Sequence, residues 1–172
     1  AIFTEARAEF RRRDNDFESH IEIVVSPEDD IELRRLRITN RSRTRRTIDV
    51  TSYAEVVLAP AAADALHPAF SNLFVQTEII RQRQAILCTR RPRSKDEQMP
   101  WMLHVMTVHD ADNYEVSFET DRSRFIGRGN TTQLPLALQQ EGPLSGGQGS
   151  VLDPVVAIRY VITLAPDQAI TI

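Results

Sequence analysis

The chain has 172 residues, enough for one domain with a hydrophobic core and too few for two of comfortable size. Its apolar share is 41% and no apolar run approaches the roughly 18 residues of a membrane span, so the piece reads as soluble. A net charge of −3 argues against a nucleic-acid binder: residues 1–46 hold eleven arginines, but ten acids among them nearly cancel that charge. Lys95 is the only lysine, and the lone cysteine, Cys88, sits in an apolar run where a buried structural thiol is the default reading. The chain opens Ala-Ile-Phe-Thr without a methionine or a signal peptide and ends in the strand-like Ala169-Ile170-Thr171-Ile172, as expected of a fragment excised from a larger protein.

Taken in order, Thr4 to Arg13 and Phe17 to Val25 suit extended chain, and Asp14-Asn15-Asp16 between them is turn chemistry, so a hairpin is expected. In its second arm Phe17, Ser19, Ile21, Ile23 and Val25 alternate with Glu18, His20 and Glu22, the period of a strand with one buried face. Ile31 and Leu33 are then out of phase with Leu36 and Ile38, and a β-bulge at Arg34-Arg35 would return both pairs to the core. A long strand follows, with Ile48, Val50, Ala54, Val56 and Leu58 on one face, until Pro60 stops it. Ala61 to Leu66 has helix-forming composition but room for only a turn or two.

Phe74 to Ile80 and Ala85 to Thr89 read as strands around Arg81 to Gln84, and Arg91 to Pro100 as a polar loop. Trp101 to Val108 is apolar at nearly every position, which predicts a central strand covered on both faces. Tyr114, Val116 and Phe118 alternate with Glu115, Ser117 and Glu119, predicting a one-faced strand with the latter three in solvent. Asp121 is placed to cap a short helical turn through Ile126. All six glycines lie between Gly127 and Gly149, suggesting a rigid scaffold with one adaptable loop face, before a last long strand from Val155 to Leu164. About nine to eleven strands with no alternation of strand and helix predict an all-β antiparallel sandwich with one or two short helical segments.

No catalytic constellation stands out residue by residue. His20, His67, His104 and His109 show no zinc-site spacing, and neither a metal nor a cofactor is expected. Ser145-Gly146-Gly147-Gln148-Gly149-Ser150 lacks the ending of a phosphate loop and precedes a strand, not a helix. Asn40-Arg41-Ser42 and Asn130-Thr131-Thr132 match glycosylation sequons, a frequent chance pattern. Trp101, Tyr53, Tyr114 and Phe125 are candidates for stacking on sugar, although most aromatics in sandwiches belong to the core.

Four strings carry a resemblance: Thr51-Ser52-Tyr53-Ala54-Glu55-Val56-Val57-Leu58; His67-Pro68-Ala69-Phe70-Ser71-Asn72-Leu73-Phe74-Val75; Glu119-Thr120-Asp121-Arg122 with Phe125-Ile126-Gly127-Arg128-Gly129; and Leu152-Asp153-Pro154-Val155 with Ala157-Ile158-Arg159. In this order they resemble the β-sandwich domain of the cellobiose and chitobiose phosphorylase and cyclic β-1,2-glucan synthase family, nearest to the synthases. The resemblance implies a galactose mutarotase-like super-sandwich over residues 1–172. It would be non-catalytic and would support an (α/α)6 barrel of the same parent chain that carries the catalytic acid. Implied partners are that barrel, β-1,2-glucan or a glucose-based oligosaccharide, and a second copy in a homodimer, with no nucleic acid. The implied setting is the cytoplasmic, soluble part of a bacterial inner-membrane protein. Carbohydrate or interdomain contact is expected at Arg122, Phe125, Gly127, Arg128, Gly129 and Arg159, with His67 and Trp101 as further candidates. The alternatives are an autonomous carbohydrate-binding module and a mutarotase-type enzyme built on a histidine and a carboxylate.

Overall fold

The structure, a computed structural model, describes residues 1–92 and 94–172, and of Pro68 only the backbone. Arg93, which falls in the loop expected from Arg91 to Pro100, lies outside the described residues. In chain order the first elements are β1 (Ile2–Phe3), β2 (Ala8–Asp14), β3 (Phe17–Val25), β4 (Glu32–Asn40), β5 (Arg46–Glu55), α1 (Ala61–Leu66), α2 (Pro68–Asn72), β6 (Val75–Ile80) and β7 (Ala85–Arg90). They are followed by β8 (Trp101–Val105), β9 (Tyr114–Asp121), α3 (Arg122–Phe125), α4 (Leu136–Gln139), β10 (Pro154–Leu164) and β11 (Ala169–Thr171). The predominance of antiparallel strands agrees with the expected all-β sandwich class, with four short α-helices among the described residues where one or two helical segments were expected. No helix among the described residues is long and apolar enough to cross a membrane.

The chain divides into two compact units, one of residues 1–49, 107–114 and 161–172 and the other of residues 50–106 and 115–160. The first contains the five-stranded sheet β1-β2-β3-β4-β11, antiparallel throughout. Its central hairpin closes at Asp14↔Phe17 over Asn15-Asp16, with Asn15 at φ 50, a left-handed conformation that asparagine tolerates.

Register settles the phase question in β4 against a bulge. β3 pairs with β4 without interruption from Phe17↔Asn40 to Val25↔Glu32, leaving Leu33 64% exposed and Ile31 exposed beside it. A bulge would leave a residue unpaired in the ladder to gain the burial of two side chains at a strand end, and the continuous ladder prevails. The expected one-sided burial of β3 is also absent: Phe17 to Ile23 are all half-buried, because ion-paired arginines cover the face that carries Glu18, His20 and Glu22.

In the second unit β6, β7 and β8 form an antiparallel sheet in that order, so β8 is an edge strand and not the central strand expected from its composition. Trp101, Leu103 and Val105 on its outer face are exposed, whereas His104 on the other face lies 2.8 Å from Ser52 Oγ through its Nε2. Continuous apolarity here marks an open apolar face instead of two covered ones. A third sheet has the strand order β5-β10-β9.

The core of the second unit includes Phe125, Ile126, Ala137, Val155 and Ala157, with Tyr53 and Leu144 packed against them. Cys88 is fully buried, and that burial pushes its thiol up to about 12. The helix expected at Ala61 to Leu66 forms with those limits, and a second short helix follows, with Pro68 at its first turn.

A candidate glucan-contact pocket

The four strings singled out above each bring one polar residue to a single depression in the second unit. Glu55 ends β5, Asn72 ends α2, Arg122 opens α3 and Asp153 immediately precedes β10. These four, with Asp64, Val56, Val57, Ala69, Leu152 and Pro154, line a pocket of about 370 Å³.

Local chemistry sets each side chain. The Asp121 carboxylate accepts from Ser123 N at 2.8 Å and caps α3, which fixes where Arg122 leaves the backbone. Arg122 N then donates to Asp153 O at 2.9 Å, tying the start of α3 to the entry of β10. Arg122 Nε donates to Glu55 Oε1 at 3.1 Å and lies 3.9 Å from Asp153 Oδ2. Asn72 Nδ2 donates to Asp153 Oδ1 at 3.1 Å, and Tyr53 OH donates to Glu55 Oε1 at 3.1 Å. Beneath them the Tyr53 ring stacks on Phe125, centroids 4.8 Å apart.

The electrostatics are those of a carboxylate-rich rim held by one cation. Burial raises the Asp153 carboxyl above its usual range, with Glu55 and Asp121 adding to it, against the opposing pull of Arg122 and the Asn72 bond. The bond to Glu55 raises Arg122, and burial first, then Glu55, pushes Tyr53 up to about 12. Three carboxylates, Glu55, Asp64 and Asp153, face one guanidinium, an array of acceptors suited to a neutral ligand rich in hydroxyl donors and unsuited to an anion.

The other expected contact residues are not gathered with Arg122. Phe125 is 3% exposed in the core, and Arg159, 2% exposed, donates to Ala137 O at 2.6 Å, Gly142 O at 3.1 Å and Thr51 Oγ1 at 3.3 Å. Gly127, at φ +82, serves packing: a Cβ there would lie 2.7 Å from Leu136 Cβ. Arg128 and Gly129 are exposed beside it, His67 is exposed at the junction of α1 and α2, and Trp101 is 68% exposed at the start of β8.

Two further expectations are corrected. Glu119 is buried, not solvated: its Oε1 accepts from Thr120 N at 2.9 Å and Asp121 N at 3.0 Å, and its Oε2 accepts from Ser145 Oγ at 2.7 Å. Those bonds, with Gly146 N to Phe118 O at 2.8 Å and the paired bonds between Thr77 and Gly149, clamp the glycine-bearing loop onto β9 and β6. The part from Ser145 to Gly149 is therefore fastened, not adaptable. Asn40 is likewise fully buried, its Nδ2 donating to the carbonyls of Thr44, Leu164 and Ala165, so its sequon presents no free amide.

In the first unit Glu9, His20 and Glu22 bring three ligand-type atoms within 4.8 Å, a grouping that spacing alone did not reveal. Arg7 lies 2.7 Å from Glu9, Arg35 is bonded to Glu22, and Arg7 and Arg11 add longer contacts, so both carboxylates are already neutralised. His20 Nε2 lies 3.1 Å from Glu9 Oε2, and this bond, opposed by desolvation and helped by the arginines, lowers the Glu9 carboxyl below its usual range. A cation would have to displace those guanidinium groups, and the lowered proton affinity of Glu9 makes it a weaker base than a free carboxylate.

Comparison with known proteins agrees with the architecture. Residues 1–172 match the sequence model of the family described as glycosyl hydrolase 94, supersandwich domain. The chain is also 36% identical over 170 residues to the cyclic beta-(1,2)-glucan synthase NdvB of Rhizobium meliloti (strain 1021), which covers 99% of this chain but only 6% of that protein. With the match running the whole length of a strand-dominated fold, the chain belongs to the glycosyl hydrolase 94 supersandwich family.

Proposed function

We propose that the chain is one supersandwich domain of a longer protein that processes β-1,2-glucan, and that it assists the chemistry without performing it. Its contribution is to hold glucan at the Glu55, Asn72, Arg122 and Asp153 pocket while a separate barrel domain carries the reacting groups. The observation that carries this reading is the convergence of all four resembling strings on one depression, with members as far apart in sequence as Asn72 and Asp153. Carboxylates and an amide pre-positioned by one arginine are the groups expected to meet sugar hydroxyls.

Titrating the chain with a linear β-1,2-glucooligosaccharide, followed by backbone amide shifts, tests it. Shifts centred on residues 55, 72, 122 and 153 with a dissociation constant of about 1 mM or weaker support an assisting domain. No shift at the pocket sinks the glucan contact. The same sugar incubated with inorganic phosphate should release no glucose 1-phosphate, and turnover by the pure chain would overturn the assisting role.

Trp101 favours a second reading, an autonomous carbohydrate-binding module, because it is the most exposed aromatic on an open sheet face apart from Phe3. Micromolar affinity with shifts centred on β8 would select that reading.

A further inference from the structure

The polar face of β2, β3 and β4 carries a groove of about 560 Å³ whose chemistry is opposite to that of the pocket at Arg122. Register puts Arg11, His20 and Arg37 directly opposite one another across three strands, and Arg13, Glu18 and Thr39 in the next row. Two guanidinium groups thus flank His20 in the first row, and Arg13 adds a third in the next.

Little answers these. Arg41 takes up the two carboxylates of the groove, Glu18 at 2.9 Å and Asp167 at 3.4 Å. Arg11 reaches only Glu9, at 3.6 Å, which is already engaged with Arg7 and His20. Among the described residues Arg13 and Arg37 have no carboxylate within 4.0 Å, and the bond from Arg13 is a long 3.5 Å to Asn15 O. The groove is therefore strongly positive on a chain of net charge −3. A neutral donor stands beside these guanidinium groups. Thr39 lines the groove at 8% exposure, and its hydroxyl makes no hydrogen bond among the described residues. The hydroxyl is open to solvent at the groove, where it can donate to a bound acceptor.

We propose that this groove binds a small phosphate-bearing molecule, with its phosphate between Arg13, Arg37 and the Thr39 hydroxyl. Guanidinium forks match phosphate oxygens in pairs, and charge-assisted bonds of this type are stronger than neutral ones. The volume exceeds what a bare phosphate fills and lies in the range of organic small-molecule sites, so the ligand carries an organic group. The site is independent of the glucan pocket, and either can fail without the other.

The test is a titration of the chain with inorganic phosphate and with glucose 6-phosphate at fixed ionic strength, following arginine Nε–H and backbone amide resonances. Saturable shifts at Arg13, Arg37 and Thr39 are expected, at least threefold tighter for the sugar phosphate. Arg37→Gln should weaken binding about tenfold or more, and Thr39→Val about threefold, the second variant guarding against misfolding of the first. Equal linear shifts with chloride, unchanged affinity in both variants, or tighter capture of a poly-glutamate peptide than of the sugar phosphate would each overturn the proposal.

Discussion

Arg122 reaches Glu55 across 67 positions of sequence, donating from Nε at 3.1 Å, and the same nitrogen lies 3.9 Å from Asp153. One guanidinium thus fixes two acceptors that belong to different strand ends. Both ends of the Glu55 pair are partly exposed, so the pair is worth only about 0–1 kcal/mol in stability. Arg122→Met is therefore expected to leave the denaturant midpoint nearly unchanged while abolishing the glucan-induced shifts at residues 55 and 153. A large loss of stability with glucan shifts intact would show that the pair is structural.

The strand pattern and the turn chemistry were readable because they are local. Asp14-Asn15-Asp16 closes the hairpin as its composition predicts, and Asp121 caps α3. What escaped reading is set by partners distant in sequence. Glu119 looks solvated by alternation, and only Ser145, 26 residues on, together with the following backbone amides, makes its burial tolerable. Glu55 and Asp153 fall in no recognisable spacing, although each lies inside a string that resembles the family. Arg159 had a usable signal: it sits within an apolar run long enough for a strand covered on both faces, where an arginine has to be buried. β8 shows the limit of that rule, since the same composition there marks an exposed edge.

Arg159 is the most consequential buried charge. Its three donors satisfy two carbonyls and a hydroxyl, and no carboxylate is within 4.0 Å among the described residues. Arg159→Met would strand Ala137 O and Gly142 O without donors. A destabilisation of about 3–5 kcal/mol is expected in urea unfolding, and Arg159→Lys should recover less than half of it because an ammonium cannot span three acceptors. A loss below about 1 kcal/mol for Met would contradict this role.

Gly127 and Gly129 share a positive φ but differ in surroundings. An added Cβ at Gly127 meets Leu136 Cβ at 2.7 Å, whereas at Gly129 nothing lies within 4 Å. Gly129→Ala should cost about 1 kcal/mol of backbone strain alone, and Gly127→Ala that amount plus about 1–3 kcal/mol of overpacking. Paired thermal melts decide it: equal losses would mean that α4 moves aside freely.

Cys88 and Tyr53 make stability depend on alkaline pH. Both are acids whose folded pKa, about 12 in each case, is raised above model values of 9.0 and 10.0, so the folded chain holds its protons longer than the unfolded one. The stabilisation is full below pH 9 and is lost as pH rises towards 12, with a slope of at most about 1.4 kcal/mol per pH unit for each group. Cys88→Ala should flatten the curve between pH 9 and 10, where only the thiol contributes. At pH 8 the wild-type thiol should resist alkylation unless the chain unfolds. Rapid labelling under native conditions would show that Cys88 is accessible.

The outer face of β8 gives the last prediction. Trp101, Leu103 and Val105 are all exposed at alternate positions, and the neighbouring β7 residues Thr89 and Leu87 continue the same face half-buried, with Ala85 fully buried at its end. An apolar stripe along an edge strand leaves both side chains and backbone groups open to another strand, the arrangement that soluble proteins usually blunt with charge or proline. The isolated chain should therefore associate with increasing concentration, measurable by light scattering from about 10 µM to 1 mM, the range in which weak interfaces of this kind operate. Trp101→Ser with Leu103→Lys should hold it monomeric across that range without lowering its melting temperature by more than a few degrees, because neither side chain is buried. Unchanged association in the double variant would place the contact on another face, and a monomer at every concentration would mean that the stripe is tolerated in water.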